Sequence, residues 1–202
     1  MTTRVLLAED QGMLRSAMAS LLNIEPDLHV VAQVGRGDEI VPAVAEHHPD
    51  VALVDIDLPG GSGLDVLPEL TAAHPECAVI IVTTFARAGY LRRAMAAGAR
   101  GFLVKDDPVA LLAASIRQVL AGEVVVQPDL ALAALRAPSN PLTDREQEVL
   151  QASRDGTPVA DIARRLFLSE QTVRNYLSSA IGKTGARNRF EAHALAEDHG
   201  WV

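Results

Sequence analysis

Cysteine occurs once in the 202 residues, at Cys77, so neither an internal disulfide nor a cysteine-rich zinc site can form. That usage suits a reducing compartment, and a cytoplasmic location is expected. Aromatic residues are scarce, with four Phe, two Tyr and one Trp, so any core must be aliphatic. No apolar run approaches the roughly 18 residues of a membrane span. Acid arrives at Glu9, too early for a secretory apolar segment. No membrane insertion is expected. Lysine is nearly absent, two residues against 16 arginines, so each lysine position draws notice.

What is present is uneven. The net charge is −8, of which residues 1–138 carry −7 and residues 139–202 carry −1. Within 162–190 there are six basic residues and one acid. An acidic front and a basic stripe near the end suggest two modules with different partners.

Residues 1–121 alternate between apolar runs and helical patterns. The runs Val5–Ala8, Val30–Val34, Val51–Val54, Val79–Val82 and Gly101–Val104 lack the alternation of a half-exposed strand, as strands buried on both faces do. Leu14, Ala17, Met18, Leu21 and Leu22 keep a helical period, as do Leu111, Leu112, Ser115, Ile116 and Val119. Five such units predict an α/β fold, a doubly wound five-stranded parallel sheet in the order 2-1-3-4-5. Residues 122–141, with Pro128, Pro138 and Pro141, read as a partly helical linker. Residues 142–202 read as a small all-α domain of four helices. Thr143 and Glu146 form its first capping box, Gly156 ends that helix, Ile162–Leu166 is the second, Ser169 caps the third, and the last spans about Arg189–Glu197.

The stretch VALVDIDLPGGSG at 51–63 ends a buried strand in Asp55 and Asp57 and then turns sharply. Glu9 and Asp10 follow the first strand. In the predicted order these strands are neighbours, so the carboxylates converge at the carboxyl edge of the sheet, where such folds bind ligands. Carboxylates that close repel, and a hard divalent cation removes the repulsion. Mg2+ takes oxygen ligands, and one or two of Glu9, Asp10 and Asp55, the backbone carbonyl of Asp57 and a phosphoryl oxygen would complete its octahedron. Thr83 and Lys105 end the next two strands, and a hydroxyl and an ammonium there suit a phosphoryl group. An aspartate after a strand is, alone, a turn residue or a helix cap. The joint pattern of acid pair, Asp, Thr and Lys at successive strand ends carries the functional reading. Asp55-x-Asp57 also looks superficially like the paired aspartates of haloacid dehalogenase-type hydrolases. That pattern ordinarily opens the first strand, whereas here it ends the third.

The set AED at 8–10, DIDLPG at 55–60, VTT at 82–84 and FLVKD at 102–106 resembles the receiver domain of bacterial two-component response regulators. The resemblance implies that Asp55 is the phosphoacceptor, attacking the phosphohistidine of a sensor histidine kinase. It further implies that Thr83 and Lys105 contact the phosphoryl group and that Thr83 and Phe102 act as a switch. Leu58 and Asp106 depart from the usual residues without removing a member of the set.

LTDRE at 142–146, IARRL at 162–166, SEQTVRNY at 169–176 and Arg189 before Glu191-Ala192 resemble the LuxR-type helix-turn-helix domain. Together the two resemblances point to the NarL/FixJ class: a transcription regulator rather than an enzyme, binding double-stranded promoter DNA as a homodimer on phosphorylation. The third helix should enter the major groove. Ser169, Gln171 and Thr172 at its start suit phosphates. Arg174, Asn175 and Ser178 fall on the outward side and suit base edges. Tyr176 suits phosphate or core, and Lys183, Arg187 and Arg189 suit the DNA backbone. Gly182, late in that helix, should soften its end at a cost of about 1 kcal/mol. Two further readings stay open: DNA binding without phosphorylation, and signalling through protein contacts with the last helices as a dimer module.

Overall fold

The computed structural model describes all residues except 1, 85, 86, 106–108 and 137, with backbone alone at 109 and 110. Asp106, the last residue of the FLVKD match, lies outside that set. The chain divides into two compact units, residues 1–86 with 91–132, and residues 87–90 with 133–202.

In the first unit β1 (Thr3–Ala8), β2 (Leu28–Val34), β3 (Val51–Val54), β4 (Ala78–Thr83), β5 (Gly101–Val104) and β6 (Val125–Val126) form one sheet in the order β2-β1-β3-β4-β5-β6. Every pairing is parallel. The crossovers contain α1 (Gly12–Leu22), a 3-10 turn at Gly37–Glu39 leading into α2 (Ile40–His47), α3 (Gly63–Ala73), α4 (Ala88–Ala96) and α5 (Val109–Leu120). β3 is buried at all four positions, which is why its text shows no alternation. Side chains still alternate between faces. Val5, Leu7, Val51, Leu53, Ile80, Val82 and Leu103 pack with Met18, Ala19 and Leu22 of α1 and with Leu112, Ile116 and Val119 of α5. The intervening Leu6, Ala52, Val54, Ile81 and Phe102 are equally buried, as are Ile40, Val44, Leu64, Leu67 and Leu70 of α2 and α3.

The sheet has six strands, not the five expected. β6 falls in the segment read as linker, and α6 (Pro128–Arg136) follows it. Gly122, with φ of 93°, ends α5 in the left-handed region. The β-branched pair Val125–Val126 then joins the free edge of β5, opposite Gly101 and Phe102. Two paired residues beside a proline give too little text to announce a strand.

The second unit holds α7 (Asp144–Ala152), α8 (Val159–Leu166), α9 (Glu170–Thr184) and α10 (Arg189–Asp198). The expected capping box is formed: Thr143 Oγ1 accepts from the Glu146 amide at 3.4 Å, and the Thr143 amide donates to Glu146 Oε2 at 2.7 Å. Ser169 caps α9 and Asn188 caps α10. α7 stops at Ala152, and Gly156, with φ of 76°, lies in the turn that follows. α9 runs unbroken through Gly182, where a Cβ would meet open space. The core is Leu142, Val149, Leu150, Ile162, Val173, Leu177, Ala192 and Trp201 with small residues between. Among the described residues no helix is long and apolar enough to cross a membrane.

Candidate functional site

The parallel register aligns Ala8 with Val54 and Thr83 with Val104, so Glu9, Asp55 and Lys105 leave their strands at one edge. The Asp55 amide donates to Ala8 O at 2.9 Å, and the Lys105 amide donates to Thr83 O at 2.8 Å. Glu9, Asp55 and Thr83 are buried polar residues at 1%, 3% and 0% exposure, in a fold where such groups need partners. Lys105 supplies one: its Nζ lies 2.6 Å from Glu9 Oε2 and 2.7 Å from Asp55 Oδ2. Asp10 is exposed beside them. Glu9, Asp10 and Asp55 each offer an oxygen within 4.8 Å of the others, which fits a divalent cation with oxygen ligands. Asp57 lies two residues on, exposed, and Phe102 is fully enclosed in the core.

Burial is the largest influence on Asp55 and lifts its carboxyl above the ordinary value, with the Glu9 charge adding to it. Lys105 and the Asp57 amide pull it part of the way back. Burial also works against the charge on Lys105, but hydrogen bonds to Asp55 and Glu9 outweigh it and hold the ammonium above its usual value.

The loop after Asp55 is built by features that read as turn punctuation in the sequence. The Leu58 and Gly63 amides both donate to Ile56 O, and so does Ser62 Oγ, at 3.0 Å. Gly60 and Gly61 take φ of 79° and 141°. A Cβ on Gly63 would sit 2.1 Å from the Asp55 carbonyl oxygen, so the N-terminus of α3 can touch the Asp55 backbone only if this residue is glycine. Gly37 is held as tightly, with a Cβ there lying 1.9 Å from Gly61 O. The glycines were visible in the text, but the backbone each one meets was not.

In the second unit, Gln171, Arg174, Asn175 and Ser178 are exposed at the i, i+3, i+4, i+7 spacing of a single helix face. Val173, Leu177 and Ala180 are buried on the other side of α9. Gln171 Nε2 donates to Asn175 Oδ1 at 3.0 Å, and Arg174 pairs with Glu170 at 2.6 Å. Ser169 Oγ accepts from the Thr172 amide at 3.0 Å. Tyr176 is half-buried against the core. Arg187 pairs with Glu191 on the surface. Exposed pairs of this kind are worth under about 1 kcal/mol and yield readily to a stronger partner.

Two of the basic residues bond to other parts of their own domain. Arg189 donates to the carbonyls of Gly156 and Thr157 at 3.1 and 3.0 Å, tying α10 to the turn before α8. Lys183 Nζ lies 2.6 Å from Oε2 of the buried Glu146, whose Oε1 accepts from Ser179 Oγ at 2.6 Å. Glu146 thus joins α7 to α9. The sequence exposed Glu146 as a capping residue only, because Ser179 and Lys183 lie two helices away.

Residues 5–117 match the response regulator receiver domain, and residues 140–196 match the luxR family of bacterial regulatory proteins. The chain belongs to the response regulator family. Transcriptional regulatory protein DesR of Bacillus subtilis is 43% identical over 98% of this chain and 98% of its own length. The DNA-binding transcriptional activator DevR/DosR of Mycobacterium tuberculosis is 33% identical, over 96% of this chain and 94% of its own. Among solved structures, response regulator ChrA of a haem-sensing two-component system is 30% identical, covers 100% of this chain and 99% of its own, and superposes with a TM-score of 0.57. The RcsB–DNA complex shares the fold, with a TM-score of 0.66 at 19% identity over 98% of this chain and 99% of its own. This response regulator therefore couples a receiver to a LuxR-type DNA-binding domain and regulates transcription in two-component signalling.

Proposed function

We propose that Asp55 is the phosphoacceptor of this response regulator and that its phosphorylation controls promoter binding through α9. The observation that carries the reading is a buried carboxylate at the sheet's carboxyl edge, 2.7 Å from Lys105 Nζ, with Glu9 and Asp10 beside it. An Asp55 oxygen forms a P–O bond as the P–N bond of the kinase phosphohistidine breaks, and the imidazole leaves with the electron pair. Lys105, now shared between Glu9 and Asp55, turns to a phosphoryl oxygen. Thr83 offers its hydroxyl from the neighbouring strand end. Glu9, Asp10, Asp55 and the Asp57 carbonyl would hold Mg2+, which when bound would spread the charge on the phosphoryl oxygens.

Thr83 and Phe102 move with the phosphoryl group and bias a two-state receiver surface, which favours a homodimer on paired half-sites. Residues 1–121, with the added β6, form the phosphoacceptor module, residues 142–202 the DNA module, and the segment between them the joint. Ser169, Gln171 and Thr172 contact phosphate, Arg174, Asn175 and Ser178 face base edges, and Tyr176 and Arg187 flank them. Lys183 and Arg189 face the DNA backbone while also holding Glu146 and the carbonyls of Gly156 and Thr157. Acetyl phosphate with Mg2+ should convert the chain to a form retarded on Phos-tag gels, and Asp55→Asn should abolish it. Continued labelling of that variant would remove the assignment.

A further inference from the structure

Phe167 combines two unfavourable features. It is 97% exposed, the most exposed of the large apolar residues described. It also adopts φ of 56° and ψ of 42°, the left-handed conformation that favours glycine and disfavours a bulky side chain. The conformation itself is required. The residue ends α8, and the Leu168 amide returns to Ala163 O at 2.9 Å, so a left-handed residue must stand between. Glycine would meet that need without strain, and a polar residue would meet it without exposing a ring. Neither folding nor the core accounts for phenylalanine here. Strained residues gather where a structure acts on something else.

The position says what that is. Phe167 stands two residues before Ser169, the cap of α9, and one residue, Leu166, separates it from the exposed Arg164 and Arg165. In a helix-turn-helix the first helix crosses the DNA backbone while the start of the second enters the major groove, so the turn that joins them comes close to a sugar–phosphate strand. A deoxyribose there presents carbon to an aromatic face, while the two arginines suit the phosphates around it. We infer that Phe167 docks on the deoxyribose backbone beside the recognition helix and sets how far that helix enters the groove. This rests on the proposal that α9 reads DNA, and it adds a contact that carries no charge.

The test uses the full chain and a duplex selected from a random-sequence pool by the wild-type protein, with a salt titration for each variant. Phe167→Gly relieves the backbone and removes the ring, so it should unfold at the same or a higher temperature than wild type yet bind about tenfold more weakly, the loss expected when roughly half a ring's surface is no longer buried. Phe167→Ala should lose the same affinity while keeping the strain. Both should keep the wild-type slope of affinity against salt, since no phosphate contact is removed. Wild-type affinity in both variants, beside a weakened Arg174→Ala, overturns the inference and leaves the reading of α9 intact. A reduced salt slope in Phe167→Gly also overturns it. Failure of the wild-type chain to select any duplex removes the reading of α9 and this inference with it.

Discussion

Replacing Glu146 by glutamine keeps the shape of the side chain and removes one charge. The carboxylate accepts from Lys183 Nζ at 2.6 Å, from the Thr143 amide at 2.7 Å and from Ser179 Oγ at 2.6 Å. In the variant the amide oxygen still faces Lys183 and Thr143, and Ser179, whose hydroxyl can turn, accepts from the new NH2. No buried donor is orphaned, so the loss is the charge assistance of these bonds, about 1 kcal/mol each for the two donors on one oxygen. The second unit should lose about 2 kcal/mol. Glu146→Ala should lose more, about 3–4 kcal/mol, because the capping box goes as well and partners are stranded.

Trp201 makes the assay specific. It is the only tryptophan, and at 8% exposure it sits in the core of the second unit. Urea unfolding followed by its fluorescence should show Glu146→Gln with a midpoint lower by about 1–2 M, taking a slope near 1 kcal/mol per molar for a domain this small. The pH dependence has a defined sign. Burial opposes the charge on Glu146, but Lys183, Ser179 and Thr143 together hold its pKa down at about 2 against an ordinary value of 4.5. A carboxyl depressed in the folded state contributes its full stability above the ordinary value and loses it as pH falls toward the depressed one. The gap between wild type and Glu146→Gln should therefore close as pH falls from 4.5 toward 2. An unchanged midpoint at pH 7, or a gap as wide near pH 2.5 as at pH 7, would show that the Glu146 charge does not stabilise this domain.

Other expectations follow from single contacts. Gly63→Ala forces a Cβ toward an oxygen 2.1 Å away, so the first unit should lose more than about 2 kcal/mol and Asp55 should be phosphorylated more slowly in whatever remains folded. Hydrogen exchange with timed acetyl phosphate labelling checks both, and wild-type values for each would contradict the packing argument. Arg174→Ala should cost about 1–3 kcal/mol in operator affinity and relax preference at one base position, measured by competition among point-mutated duplexes. Wild-type operator affinity should fall steeply between low and physiological salt, whereas a flat titration would argue against phosphate contacts.

Local chemistry explains what could be read in advance. The run from Val51 to Val54 announced a strand buried on both faces, and the threonine–glutamate spacing at 143 and 146 announced a helix start, because each signal lies within a few residues. The convergence of Glu9, Asp55 and Lys105 was legible through the strand order alone, since each follows its strand directly. What was not legible depended on distant neighbours. β6 exists because β5 leaves an edge for Val125 and Val126 to pair with. Gly63 is forced by the backbone of Asp55, and Lys183 pairs with a glutamate 37 residues earlier. Phe167 gives no signal in the sequence because its conformation, not its identity alone, makes it unusual.

Phosphate on Asp55 is proposed to control DNA binding by α9. The most direct measurement is a titration of one selected duplex with the full chain, wild type and Asp55→Asn, each before and after acetyl phosphate with Mg2+. Wild-type affinity should rise on treatment, and Asp55→Asn should stay at the untreated level. Equal affinity in all four titrations, or the same rise in Asp55→Asn, would show that Asp55 phosphorylation does not govern binding.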